Sequence, residues 1–589
     1  MAARLPVPVF TNLNDAYQDL SFAAKQGVRW DELTQEFEKR FGRKPTYIAR
    51  APGRVNLIGE HIDYALFGVF PAAIEQDVLI ACAPHSSDET PAPGTVRAHN
   101  METKYAPQTF TPMLLPPSGL QEKEKQAQED KAAASSVHAE GWHMDIDKTQ
   151  LRWESYVKAG YYGVLNHFFS PSASNNTQPI PVDILVTGTL PSGSGLSSSA
   201  AMVVASTLVF LAVNGKLEGL KKGRLVEMAV ENEKRVGVNS GGMDQAASIL
   251  SSLNSALYIT FYPSLNAELI PLPTSPPRAA VFVCANSLVV SDKVVGGSES
   301  SVYGISHLPP SCAVIKGAKT RYNLRVVETL VAARILARKL NLQISSPSKK
   351  PFTLREVLSA YFGLDEKEEG AIDPQLLGAG LEDILTEVEV LRPERLGFRN
   401  DDQNSDKGEI QIGLTMDEMV QASGLSNDEF RNIFLSWVDV EASHFQVYKR
   451  AKHIFSEALR VLQFRQLCLS SSQSLGNDET STSTADVLKS LGNLMNASQE
   501  SCASLYECSC PELDELTQIT REAGAYGSRL TGAGWGGCTI SLVDESDVQG
   551  FIQRVKARYG PYQNLNDTEL EEVIFATRPG SGAFVFKLE

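Results

Sequence analysis

The sequence predicts a mixed α and β fold built as more than one unit. Three observations carry this. "VDILVTGTL" (182–190) and "AAVFVCANSLVV" (279–290) are rich in β-branched residues and read as strands. "YNLRVVETLVAARILARKL" (322–340) and "SHFQVYKRAKHIFSEALRVL" (443–462) carry apolar residues at helical spacing, and in the second Val447, Ala451, Ile454, Ala458 and Val461 share one face. The length, 589 residues, exceeds what one core organises, so two domains plus insertions are expected.

Four polar stretches interrupt these elements and are expected to be loops or disordered: 114–150, 292–312, the acidic 366–412 and the Ser/Thr-rich 470–486. The formal charge of −16 argues against a nucleic-acid surface, which needs a basic patch. The longest apolar stretch, Ala200–Val213, is too short to span a bilayer and reads as a buried helix. "MAARLPVPVF" has no signal-peptide core, and the eight cysteines lack zinc-like spacing. A cytoplasmic protein with free thiols is expected, without a membrane partner.

The junction "LPSGSGLSSSAA" (190–201) points to chemistry. A strand runs into Gly193, Ser194, Gly195, Leu196 and Ser197, and then Ser198 and Ser199 open the apolar helix. Glycines let backbone approach a ligand closely, successive N–H groups make a nest for anions, and a helix N-terminus favours negative charge. This is the specification of a phosphate site. The Gly-Lys-Ser/Thr signature of a Walker loop and the G-x-S-x-G of a nucleophile elbow are both missing. The plainer reading is a serine-rich loop or serine helix capping.

Three further stretches stand out. "GRVNLIGEHIDY" (53–64) sets Arg54, Glu60, His61 and Asp63 among apolar residues, and such groups are expensive to bury without a function. "GVNSGGMDQAAS" (237–248) places Asp244 between small residues; alone it reads as an N-cap. "YGSRLTGAGWGGCTISLV" (526–543) reads alone as a tight turn before a strand.

Together these stretches, in this order, resemble the GHMP small-molecule kinases and, within them, the galactokinase family. "GRVNLIGEHIDY" resembles the galactokinase signature, "LPSGSGLSSSAA" the ATP phosphate loop, and "LTGAGWGGCTISL" the third glycine-rich motif. "GVNSGGMDQAAS", "VVETLVAARILA" and "YKRAKHIFSEALRV" resemble the fungal members. The resemblance spans roughly 30–587 and implies an α+β fold: an N-terminal ribosomal-protein-S5-like domain (20–260) and a C-terminal ferredoxin-like domain (261–589), the site between them. The last strand, "GAFVFKL", is expected to return to the first domain.

The activity implied is transfer of the ATP γ-phosphoryl group to the C1 hydroxyl of galactose. By resemblance Asp244 is the base or orienting acceptor, and Arg54 lies beside it, where a guanidinium favours an ionised carboxylate and steadies transferring phosphate. Glu60, His61, Asp63 and Tyr322 would hold the other sugar hydroxyls, and residues 193–199 the phosphates. Ser198 or Ser199 would hold Mg²⁺, and Trp153 and Tyr156 flank adenine; unaided, these two read as core aromatics of an amphipathic helix. The partners expected are galactose and ATP, the chain a monomer, with a regulatory protein partner left open. Two alternatives stand beside this: N-acetylgalactosamine kinase, and a non-catalytic galactose- and ATP-sensing transcriptional inducer.

Overall fold

The computed structural model describes residues 2–17, 20–85, 91–114, 141–147, 152–169, 177–191, 193–237, 241–275, 278–291, 314–315, 319–344, 351–364, 372–398, 413–473 and 484–588. Two sheets organise them. The larger has seven strands in the order Val9–Phe10, Phe584–Lys587, Tyr47–Ile58, Phe70–Pro84, Val182–Gly188, Val96–Asn100 and Gln108–Phe110. The chain thus returns at its far end to the sheet it began: Val585 pairs with Ala49 on one side and Val9 on the other. The second sheet runs Thr274–Ser275, Arg278–Asn286, Cys538–Asp544 and Gly527–Thr531, with Ile574–Thr577 also on Arg278–Asn286. Both strands expected at 182–190 and 279–290 form, ending at Gly188 and Asn286.

The apolar run after the phosphate-type loop is the helix Ser198–Val213. It is apolar all round because it is buried all round, between the large sheet and the helix Trp153–Phe168. The amphipathic stretches form Tyr322–Lys339 and Val447–Gln473. In the latter Val447, Ala451, Ile454, Ala458 and Val461 are all buried, as their spacing predicts. This long helix packs onto the first half of the chain: Phe455 meets Phe67 edge-on at 5.8 Å, and Phe464 meets Phe70 at 5.1 Å. No helix among the described residues is long and apolar enough to cross a membrane.

The loop expectations need correction. Within 366–412, residues 372–398 are helical rather than loop: Pro374–Glu387 has an Asp373 cap, and the shorter turns Val388–Leu391 and Pro393–Leu396 follow. Leu377, Leu381, Ile384, Val388 and Leu391 are buried there, an apolar face hidden in an acidic composition. At 470–486, Ser470–Gln473 ends the long helix and Thr484 begins the helix Thr484–Ser501. At 114–150, Leu114 pairs with Trp142 in a two-stranded ribbon. Residues 115–140, 148–150, 366–371, 399–412 and 474–483 of these stretches, and all of 292–312, lie outside the described residues.

Candidate active site

The strand Tyr47–Ile58 carries the first half of the site. Its pairing with Phe70–Pro84 slips between Pro52 and Arg54 and again between Asn56 and Ile58. Such bulges bend a strand and re-aim its side chains. Gly53 is required there: a Cβ would stand 2.7 Å from the Leu196 carbonyl and overlap the Leu190 side chain. With no Cβ, the 190–199 loop closes onto the strand, and the Arg54 N–H donates to the Leu196 carbonyl at 3.2 Å.

That loop has the backbone its sequence predicts. Gly193 and Gly195 take φ of 69° and 77°, and Ser197, just before the helix, takes 62°. Ser197 does not cap through its side chain, so the plain capping reading does not hold. Its buried Oγ has no hydrogen-bond partner among the described residues, while Ser198 and Ser199 are half-buried on the first turn. Ser194 Oγ donates to the Pro191 carbonyl at 2.7 Å. The third glycine-rich segment is more than a turn, because it forms the floor of this loop. The Cys538 N–H donates to the Ser194 carbonyl at 2.9 Å, and a Cβ on Gly195 would meet the Thr531 carbonyl at 2.8 Å.

Arg54 joins this loop to the carboxylates. Its Nε and Nη2 reach Asp244 Oδ1 at 2.9 and 2.7 Å, and its Nη1 donates to the Gly195 carbonyl at 2.5 Å. Asp244 is the second residue of the helix Met243–Leu250, whose N-cap is Gly242, so the N-cap reading also fails. Gly241 leaves room for Asp63 as well: a Cβ there would collide with the Asp63 carboxyl. Asp63 is buried, and burial followed by the charge of Asp244 pushes its carboxyl up to about 6, against backbone N–H groups of Tyr64 and Met243.

Glu60, His61 and Tyr322 close the same space. Glu60 Oε2 accepts from Arg529 Nη2 at 3.2 Å and from the Gly532 N–H at 3.0 Å. Burial raises the Glu60 carboxyl above its usual range, opposed by Arg529 and Arg54. His61 Nε2 lies 2.9 Å from the Ala533 carbonyl. Tyr322 opens its helix 5.6 Å from the His61 ring, its hydroxyl pushed well up by burial and then by Asp63 and Asp244. The structure thus brings Arg54, Glu60, His61, Asp63, Asp244, Tyr322 and the 193–199 loop together. Trp153 and Tyr156 lie on the first turns of Trp153–Phe168, half-buried, with Trp153 beside Tyr105.

Sequence reasoning missed several residues here. Arg529 is wholly buried in the strand Gly527–Thr531 and also donates to the Asn56 carbonyl at 2.7 Å. Tyr506 meets the Tyr64 hydroxyl and stacks obliquely 4.8 Å from the His61 ring. Glu457 and His453, on the long helix, reach the backbone of Gly59 and Glu60. None carries a local signal, since each partner lies hundreds of residues away.

Comparison with known proteins bears on the same residues. The family model described as the galactokinase galactose-binding signature matches residues 35–84, that for the GHMP kinase N-terminal domain 156–252, and that for the GHMP kinase C-terminal domain 484–561. The galactokinase of Dictyostelium discoideum is 34% identical, covering 98% of this chain and 97% of its own. That of Saccharomyces cerevisiae is 33% identical over 94% of each. A crystal structure of Lactococcus lactis galactokinase complexed with galactose shares the fold, with a TM-score of 0.55 at 20% identity, over 94% of this chain and 99% of that one. With three matched segments carrying the guanidinium, the phosphate-type loop and its floor, and with relatives similar along their whole length, this chain belongs to the galactokinase family and is an ATP-dependent sugar kinase.

Proposed function

We propose that the Arg54 fork is the centre of galactose 1-phosphorylation in this enzyme. One guanidinium touches both the Asp244 carboxylate and the Gly195 carbonyl of the phosphate loop. Donor and acceptor sites so joined meet the main demands of phosphoryl transfer, alignment and charge neutralisation. ATP phosphates lie on the N–H groups of Gly193–Ser199 at the head of the helix Ser198–Val213. The C1 hydroxyl of galactose donates to Asp244, which takes its proton as the new bond from O1 to the γ-phosphorus forms and the bond from that phosphorus to the β–γ bridging oxygen breaks, leaving ADP. Asp63, Tyr322 and the Oε1 of Glu60 receive or donate the remaining sugar hydrogen bonds, Glu60 Oε2 being engaged by Arg529 and Gly532, while His61, its ring nitrogens engaged by the Tyr64 hydroxyl and the Ala533 carbonyl, walls the sugar pocket. Trp153 and Tyr156 border the adenine.

Mg²⁺ belongs to this reading. The orphaned Ser197 Oγ and the hydroxyls of Ser198 and Ser199 are neutral oxygen donors, which suit a hard cation held mainly by phosphate and water. Bound, it would neutralise charge on the β- and γ-phosphates. The two-domain division near residue 260 accords with the two sheets, except that Phe584–Lys587 lies in the first. The seven cysteines among the described residues, all buried and free of disulfides, support a reducing compartment, the cytoplasm. N-acetylgalactosamine kinase and a non-catalytic sensor are not favoured beside relatives named galactokinase. The test is ADP release with galactose, N-acetylgalactosamine, glucose and mevalonate as acceptors. Turnover is expected with galactose well above the others; ligand binding without ADP release, or preference for another acceptor, refutes the reading.

A further inference from the structure

The long helix Val447–Gln473 drew notice in the sequence for its apolar face, yet three of its fully buried residues, Arg450, His453 and Glu457, are polar, and the last two reach the first half of the chain. Glu457 Oε1 accepts from the N–H of Gly59 at 2.9 Å, from that of Glu60 at 3.3 Å and from Ser498 Oγ at 2.7 Å, while its Oε2 takes Arg460 Nε at 2.8 Å. His453 Nε2 lies 3.0 Å from the Glu60 carbonyl oxygen and its Nδ1 2.8 Å from Ser501 Oγ. A carbonyl only accepts, so Nε2 carries the proton and Nδ1 accepts from the serine. Burial depresses the His453 ring to about 4, keeping it neutral. For Glu457, burial acts to raise the carboxyl, but Arg460 and Arg529 outweigh it and hold it at about 2, an anion.

The backbone these two residues grip is unusual. Gly59 has φ of 104° and His61 of 61°, a region that a side-chain-bearing residue occupies only where its surroundings over-determine it. The turn between them leads directly into Asp63. We infer that Glu457 and His453 are positioning residues of the sugar subsite. Glu457 binds the two N–H groups and His453 the carbonyl of one turn, and together they set where Glu60, His61 and Asp63 stand. The inference rests on the assignment of those three residues to the sugar. It gives the long helix Val447–Gln473 a part in sugar recognition without contact to the sugar.

The experiment measures KM for galactose and for ATP separately in Glu457→Gln, His453→Leu and His453→Gln. Glu457→Gln replaces a charged acceptor with a neutral one, and about a tenfold rise in galactose KM is expected, with kcat and the ATP KM within about twofold. His453→Leu acts in the same direction. His453→Gln, whose amide N–H can donate to the Glu60 carbonyl, recovers to within about threefold of the parent. An unchanged galactose KM in folded Glu457→Gln overturns the inference, as does a parallel rise for both substrates, the mark of a general packing defect. Should His453→Leu not fold, the two glutamine variants, close in size to the parent residues, still decide. Asp63→Ala, run alongside, separates the two levels: if it leaves galactose binding unchanged, the sugar assignment falls and the inference with it. If Asp63→Ala alone weakens galactose, only the positioning role falls.

Discussion

The two sides of the proposed site, one assigned to nucleotide and one to sugar, are built from different materials. The nucleotide side is backbone: residues 193–197 in left-handed or tightly turned conformations, a helix start, and a second glycine-rich loop beneath. The sugar side is side chain: the buried carboxylates of Glu60 and Asp63, the half-buried Asp244, a histidine, and the rings of Tyr64, Tyr322 and Tyr506. A phosphate presents the same charge from many directions, so N–H groups suffice for it. A hexose differs from its isomers only in where each hydroxyl points, and fixed carboxylates register that. The difference teaches that the first side depends above all on chain shape, and the second on the identity of each side chain as well as on the turn that holds them.

The largest expected effect lies where the sides meet. Asp244→Asn keeps size and hydrogen bonding but cannot take a proton, so turnover should fall by about 10²–10⁴ with galactose and ATP still bound. Rapid-quench turnover and calorimetric titration of each ligand check this; a mutant within a few-fold of the parent rate removes Asp244 from the chemistry. Next comes the backbone side. Gly195→Val places a branched residue at φ 77° and a Cβ 2.8 Å from the Thr531 carbonyl. At roughly 1–3 kcal/mol of strain, nucleotide affinity should drop by about 10- to 100-fold, with galactose binding nearly intact. Equal loss of both ligands would erase the contrast between the sides.

The smallest effect concerns protons. With the Asp63 carboxyl pushed up to about 6, its ionised fraction falls about tenfold between pH 7 and pH 5. Galactose KM should therefore rise by up to about tenfold over that interval while ATP KM stays flat, and Asp63→Asn should abolish the slope. The sign for folding runs the other way. A carboxyl whose folded-state pKa is raised contributes its stability below about 4 and loses it as pH climbs through about 6. Binding and stability at this residue thus oppose each other.

What was legible in the sequence divides by distance along the chain. The helix at 322–340 and the apolar face of 447–461 were readable because period and burial are local, and the phosphate-type junction because strand, glycines and helix follow one another. Residues 372–398 were misread because Asp and Glu outnumber the face made by Leu377, Leu381, Ile384, Val388 and Leu391. The 526–543 segment looked like a turn because what it supports, Gly195, lies far away in sequence. Arg529, Glu457 and His453 were invisible for the same reason: a buried polar group announces itself only through its partner.

The strand Phe584–Lys587 sets a schedule for the chain as it is made. It fills the place between Val9–Phe10 and Tyr47–Ile58, the strand bearing Arg54. At the usual ~5–20 residues per second, roughly half a minute to two minutes separate synthesis of Ala49 from that of Val585. Throughout that interval one edge of the Arg54 strand has no neighbour, an invitation to pairing with other nascent chains. The edge of the strand that bears Arg54 is therefore closed only once this late piece of the large sheet has been made.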